Sequence, residues 1–263
     1  MKKIVFIIAT TLLLTACTPM IPALSIPDTQ KKEPLPVKGR QGLLINQKLS
    51  FAEYQTGKVK RSWTKGGNSR VGLLGTNTTN GVYIDLISKE YIDRKQTFSF
   101  QMSDSHNNRS DTYGASNFNA ENLLLGNNPN SVVNILEDIY GRNDFSENVF
   151  YLQVFVNNET KPWELLLDNQ ASQANKNYVG FFAKDDNNYY TLKPIDKVET
   201  TKGPKSILMG SIGFEIINPE NEVVAAVSLI DNGLVYLLTE QPDERFLLAN
   251  LCAALLLQQN IAE

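Results

Sequence analysis

The chain is poor in the residues that most often carry chemistry: its 263 residues hold two cysteines, one histidine and two tryptophans. Cys17 and Cys252 cannot make a disulfide framework, so the fold must be stabilised by burial, which this length allows. One histidine, His106, leaves no pair of imidazoles for a zinc site and only one position for histidine acid–base work. No Gly-x-Ser-x-Gly elbow, His-Glu-x-x-His helix or Walker loop occurs. No apolar run is long enough to cross a bilayer: Ile4–Leu14 has 11 residues and the run 246–257 has 12, where a helical span needs about 20. A basic excess is also missing. Twenty-five lysines and arginines face 28 acids, a net charge of −3. A general nucleic-acid binder needs the opposite sign.

What is present begins with an address. Residues 1–17 read MKKIVFIIATTLLLTAC: two lysines, an apolar stretch, then small residues, the order of a secretory signal. The end of that segment, Leu14-Thr15-Ala16-Cys17, resembles the lipobox of bacterial lipoproteins. The resemblance implies cleavage before Cys17, diacylglyceryl attachment to its thiol and anchoring to a membrane of the cell envelope. Thr18 in place of aspartate fits transfer to the outer membrane. Loss of residues 1–16 removes Lys2 and Lys3 and no acid, leaving 23 basic and 28 acidic side chains, a net charge of −5.

Residues 17–38 read as the lipidated cysteine and a tether. Five of the 11 prolines fall in 18–38, and proline suits neither helix interior nor central strand. Extended throughout, such an arm would reach about 65 Å.

Residues 39–263 read as one β-rich domain, mainly β with an α+β character. Strand-like runs are Arg70–Leu74, Val82–Ser88, Thr97–Met102, Val149–Asn157, Trp163–Leu167, Tyr178–Ala183 and Tyr189–Lys193. In Thr97–Met102 the apolar residues Phe98, Phe100 and Met102 share a face. Asp185-Asp186-Asn187-Asn188 reads as a hairpin loop. Val132–Tyr140, capped by Asn130 or Ser131 and ended by Gly141, reads as an amphipathic helix.

The C-terminal third predicts a meander of three antiparallel strands, Ser206–Ile217, Val223–Ile230 and Leu234–Leu238. Gly210 and Gly213 mark a bulge or a close backbone approach. Asn218-Pro219-Glu220-Asn221 and Asn232-Gly233 supply the turns. A helix follows, opened by Pro242-Asp243 with Asp243 as expected N-cap. Its run FLLANLCAALLL is apolar on every side except Asn250, so it belongs inside the fold, with sheet around it. The segment GSIGFEIINPENEVVAAVSLIDNGLVYLL with this helix is similar in outline to the tubby-like fold, which implies a closed barrel of 12 strands around the helix. The other arrangement is a many-stranded antiparallel sheet with the helix packed against it, or a helix docked on a partner.

Three sets of residues bear on chemistry. Asp104, His106 and Asp111 share one polar loop, but their spacing fits no zinc or EF-hand template. Cys252 lies inside the apolar helix, where a thiol is inert. Lys58, Lys60, Arg61, Trp63, Lys65 and Arg70 form a basic cluster without an acid. A strand over 58–64 puts Lys58 and Lys60 on one face, and Arg61 and Trp63 on the other, as an anion or sugar platform. The alternative is a solvated strand face with a core tryptophan. No catalytic residue, metal site or cofactor is expected. The function expected is a non-enzymatic, membrane-anchored envelope lipoprotein that binds a partner protein or an anionic envelope ligand. The other reading is a hydrolase of cell-wall or carbohydrate substrate working through carboxylates.

Overall fold

The computed structural model describes residues 20–27, 30, 32–41, 46–63, 75–77, 83–85, 93–119, 149–208 and 210–258. Seventeen strands and two helices fall within them. The strands are β1 (Leu35–Pro36), β2 (Ser50–Phe51), β3 (Tyr54–Thr56), β4 (Lys60–Trp63), β5 (Gly75–Asn77), β6 (Tyr83–Asp85), β7 (Asp93–Ser103), β8 (Arg109–Asn119) and β9 (Val149–Val156). They continue with β10 (Trp163–Asp168), β11 (Gly180–Asp185), β12 (Asn188–Pro194), β13 (Lys197–Val198), β14 (Lys205–Ser206), β15 (Gly213–Ile217), β16 (Val223–Ser228) and β17 (Leu234–Leu237). The helices are α1 (Asn169–Ala174) and α2 (Pro242–Leu257). The expected strand Arg70–Leu74 and the expected helix Val132–Tyr140 lie outside the described residues.

One antiparallel sheet runs β1-β17-β16-β15-β12-β11-β10-β9-β8-β7-β3-β2, with β4 also paired to β7. Its two ends meet. Lys38, just beyond β1, bridges Ser50 of β2, with the Lys38 N–H donating to the Ser50 carbonyl at 2.9 Å and the reverse bond at 3.1 Å. The sheet is therefore a barrel of 12 strands sealed by a single bridge.

Side chains alternate across its wall, as strand geometry requires. Phe98, Phe100 and Met102 of β7, Phe150, Leu152 and Val154 of β9, and Phe214 and Ile216 of β15 all enter one core. Gly114 on β8 makes room for Phe98, since a β-carbon there would lie 2.5 Å from the ring. Gly213 supplies the close backbone approach expected of it, because a β-carbon would lie 1.9 Å from the Val227 carbonyl oxygen of β16.

Helix α2 fills the lumen. Every residue from Phe246 to Leu257 is buried, so no side of the helix meets water. It packs on β8 and β9 and also on β16 and β17, which stand six places away around the ring. An apolar surface on all sides is stable only in such surroundings. The one polar residue has partners: the Asn250 Oδ1 accepts from the Ser110 hydroxyl at 2.6 Å and the Thr112 hydroxyl at 3.3 Å, and its amide donates to the Phe246 carbonyl at 2.8 Å.

Four expectations are corrected. The tether does not run free to residue 38: Pro22 bridges Val198, Ala23 and Leu24 are buried against the barrel wall, and Leu35–Pro36 pairs with β17. Proline is tolerated there because such sites need only one side of the backbone bonded. The long strand 206–217 is broken, with β14 ending at Ser206 and β15 starting at Gly213. Gly210, at φ +80°, bends the chain between them, and a β-carbon there would crowd Gln173. The turn after β16 spans residues 229–233, with Asp231 and Gly233 rather than Asn232 taking positive φ. Last, Gln241 is the N-cap of α2, because Pro242 occupies the first helical position and moves the start two residues ahead of Asp243.

Candidate functional site

Of the basic cluster, the side chains of Lys58, Lys60 and Arg61 are described. β4 pairs with β7, putting Lys60 opposite Ser99 and Arg61 opposite Phe98. Lys58 and Lys60 are exposed and Val59 is buried. Arg61 turns inward. Its Nη2 donates to the Leu257 carbonyl at 3.1 Å and to Gln47 Oε1 at 2.9 Å, and its guanidinium lies 5.7 Å from the Phe98 ring centroid. Trp63 is in β4, while Lys65 and Arg70 lie outside the described residues, as does Cys17. In the described structure the Arg61 guanidinium terminates a helix.

A second arginine does the same work. The Arg40 Nε donates to the Leu256 carbonyl at 3.1 Å, and its Nη1 donates to Leu229 and Asp231 carbonyls at 2.7 and 3.0 Å. The last carbonyls of a helix have no partner within it and carry partial negative charge. Two cations placed there satisfy both needs. Burial pushes both guanidinium pKa values down from their ordinary value, in Arg40 against an opposing pull from Asp231. Arginine stays charged through such a shift.

The polar loop after β7 is held from within and tied to its surroundings, the Asn108 amide donating to Asp243 Oδ1 at 3.4 Å and the Asn157 amide donating to Asn108 Oδ1 at 2.8 Å. Asp104 Oδ1 accepts from the backbone N–H of His106 at 2.8 Å and of Asn108 at 2.9 Å, and Oδ2 accepts from the Asn108 amide at 2.9 Å. That carboxylate holds the turn, while the His106 ring is exposed. Among the described residues no three metal-ligating side chains converge. Burial pushes the Cys252 thiol far up, out of reach of ordinary ionisation.

The strongest candidate site lies near the N-terminal end of α2, a cleft of about 930 Å³. One wall is the arm Ser25–Pro27 with Gln30 and Lys32; another is the β15–β16 turn, Asn218 to Glu222. The β11–β12 turn contributes Asn187 and Asn188, and α2 contributes Glu244. Trp163 and Tyr190 line it as an aromatic pair with ring centroids 5.5 Å apart, backed by Phe182 at 5.4 Å from Trp163.

Its parts are held firmly. Glu244 accepts from the Tyr190 hydroxyl at 2.9 Å and from the Thr239 hydroxyl. Burial, and then Glu244, pushes the Tyr190 phenol well above its usual range, so it remains a donor. Asn218 accepts from the Glu222 N–H at 2.8 Å and shapes the turn. Asp185 fixes the facing turn by accepting from the Asn188 amide at 2.6 Å, a bond that also lowers its pKa. Three carboxylates and one lysine line the cleft, and Lys32 is paired with Glu240. The sequence places Trp163 in an expected strand and Glu220 in an expected turn. Their convergence depends on strands far apart in the chain, so no local signal could reveal it. No protein-family model matches the chain, and no curated protein or solved structure matches it either.

Proposed function

We propose that this is a non-enzymatic, lipid-anchored protein of the bacterial cell envelope, held through Cys17 and binding a neutral, hydroxyl-rich ligand of glycan type in the Trp163–Tyr190 cleft. The cleft lining carries the ligand half of this reading. An indole face takes the apolar face of a sugar ring, and four asparagines with Glu220 and Glu222 offer donors and acceptors to hydroxyls. Its excess of carboxylates repels a polyanion, which moves the ligand away from the anionic class. The envelope address rests on the lipobox-like end of residues 1–17.

The hydrolase reading has one observation in its favour, the presence of carboxylates beside an aromatic pair. Against it, Glu220 and Glu222 belong to one turn, and both oxygens of Glu244 already accept hydroxyl hydrogen bonds. Glycosidic cleavage needs two carboxyl groups flanking the bond. What supports a tubby-like reading of the domain is the 12-strand ring around a hydrophobic C-terminal helix.

Titration calorimetry with cell-wall glycan fragments tests the proposal, with Trp163→Ala as the control. Binding that disappears in the variant is expected. Binding that survives Trp163→Ala, or none by the intact protein, would sink the cleft assignment. Fragment cleavage abolished by Glu220→Gln would replace it with the hydrolase. In-cell cross-linking to one dominant protein would make a partner, not a glycan, the ligand.

A further inference from the structure

We infer that the face formed by the N-terminal arm and the β13–β14 hairpin lies against the surface of an anionic phospholipid bilayer, an inference that rests on the lipid anchor at Cys17 proposed above.

Three large apolar side chains are exposed among the described residues: Met20 at 49 %, Ile21 at 40 % and Leu208 at 100 %. They share one corner of the molecule. The Ile21 carbonyl accepts from the Glu199 N–H at 2.9 Å, Pro22 bridges Val198, and the Ala23 N–H donates to the Lys197 carbonyl at 2.9 Å. β13 pairs with β14, Lys197 with Ser206 and Val198 with Lys205. Leu208 follows β14 by two residues. The arm, β13 and β14 thus make a small three-stranded patch laid on the barrel.

The charge of the patch selects the lipid. Lys197, Lys202 and Lys205 are exposed on it, and Glu199 is the one acid between residues 197 and 208. The neighbouring Asp196 is paired with Lys176 at 2.7 Å. Lysines are drawn to an anionic leaflet, and apolar side chains between them enter the headgroup boundary.

The anchor leaves little freedom. Three Cα–Cα steps separate Cys17 from Met20, at most about 11 Å. A lipid on Cys17 therefore brings the arm, and the barrel wall it is packed on, to the bilayer whatever path residues 18 and 19 take.

The test uses the mature lipidated protein in vesicles of phosphatidylethanolamine and phosphatidylglycerol with brominated acyl chains. A bimane is placed at Leu208→Cys, or at His106→Cys on β7–β8 across the barrel. Intact mass reports acylation of Cys17. The expected result is bimane emission reduced about twofold or more at position 208 and unchanged at 106, with quenching weakened by Lys202→Glu with Lys205→Glu. Equal quenching at both positions, or none, with an acylated Cys17 overturns the docking and leaves the anchor intact. Cross-links joining position 208 of two copies in place of quenching also overturn it, since a second copy then covers the patch. An unmodified Cys17 overturns the anchor and the docking together.

Discussion

The Nη2 of Arg61 lies 3.1 Å from the carbonyl oxygen of Leu257, joining the fourth strand to the end of the last helix across 196 positions of sequence. Arg40 meets the preceding carbonyl, Leu256, at 3.1 Å. Charged hydrogen bonds of this kind contribute about 1.5–3 kcal/mol. Arg61→Ala is expected to lower stability by about that amount, as a drop in urea midpoint with unchanged slope. Arg61→Lys should recover only part, because lysine lacks the rigid planar guanidinium that fixes the two Nη2 hydrogens toward Gln47 and Leu257. An unchanged midpoint for Arg61→Ala would reject the helix-terminating role.

Asn250 is the second test of the lumen. Asn250→Ala removes the acceptor for the Ser110 and Thr112 hydroxyls and is expected to cost about 1–3 kcal/mol. Adding Ser110→Ala and Thr112→Val should return most of that loss, since no buried donor is then left without a partner. A triple variant no more stable than Asn250→Ala would contradict the network.

Cys252 gives a chemical readout. Native protein blocked at Cys17 should react with maleimide only as fast as it unfolds, whereas in denaturant it reacts at once. Fast native labelling would place α2 outside the barrel. The raised thiol pKa also sets a pH dependence. Below the unfolded value of about 9 the contribution is fully present. Above it the unfolded thiol loses its proton while the folded one keeps it, so stability falls as pH rises, with a limiting slope of about 1.4 kcal/mol per unit. Urea midpoints between pH 9 and 10 should decline in wild type and decline less in Cys252→Ala.

In the cleft, Tyr190→Phe separates positioning from contact. It removes the hydroxyl that donates to Glu244 and keeps the ring beside Trp163. Glycan affinity should fall about 3- to 10-fold by calorimetry, against a larger loss in Trp163→Ala. Equal affinities for the wild type and both variants would exclude this cleft as the binding surface.

Much of the architecture was legible because it is local. Phe98, Phe100 and Met102 show a strand face through period two, and residues 246–257 show an enclosed helix by being apolar on all sides. Tyr189–Lys193 and Trp163–Leu167 lie within observed strands for the same reason. What could not be read depends on distant partners. Pro22 and Pro36 look like tether residues until the chain returns at Val198 and β17 to pair with them. Arg61 looks like a surface cation until a helix end arrives beside it. The cleft draws on turns after β11 and β15, the start of α2 and the arm, none of which carries its own signature of a ligand.

The bridge between Lys38 and Ser50 and the lumen helix together govern the order in which the molecule can be made. The wall closes through β1, whose partner β17 comes about 200 residues later, and it closes around a filling that is synthesised after β17. Contacts at such separation form late and at a high loop-closure cost. A nascent chain consequently cannot complete its core until α2 has emerged. Wall and filling are therefore acquired together, once the last helix is free to enter the ring.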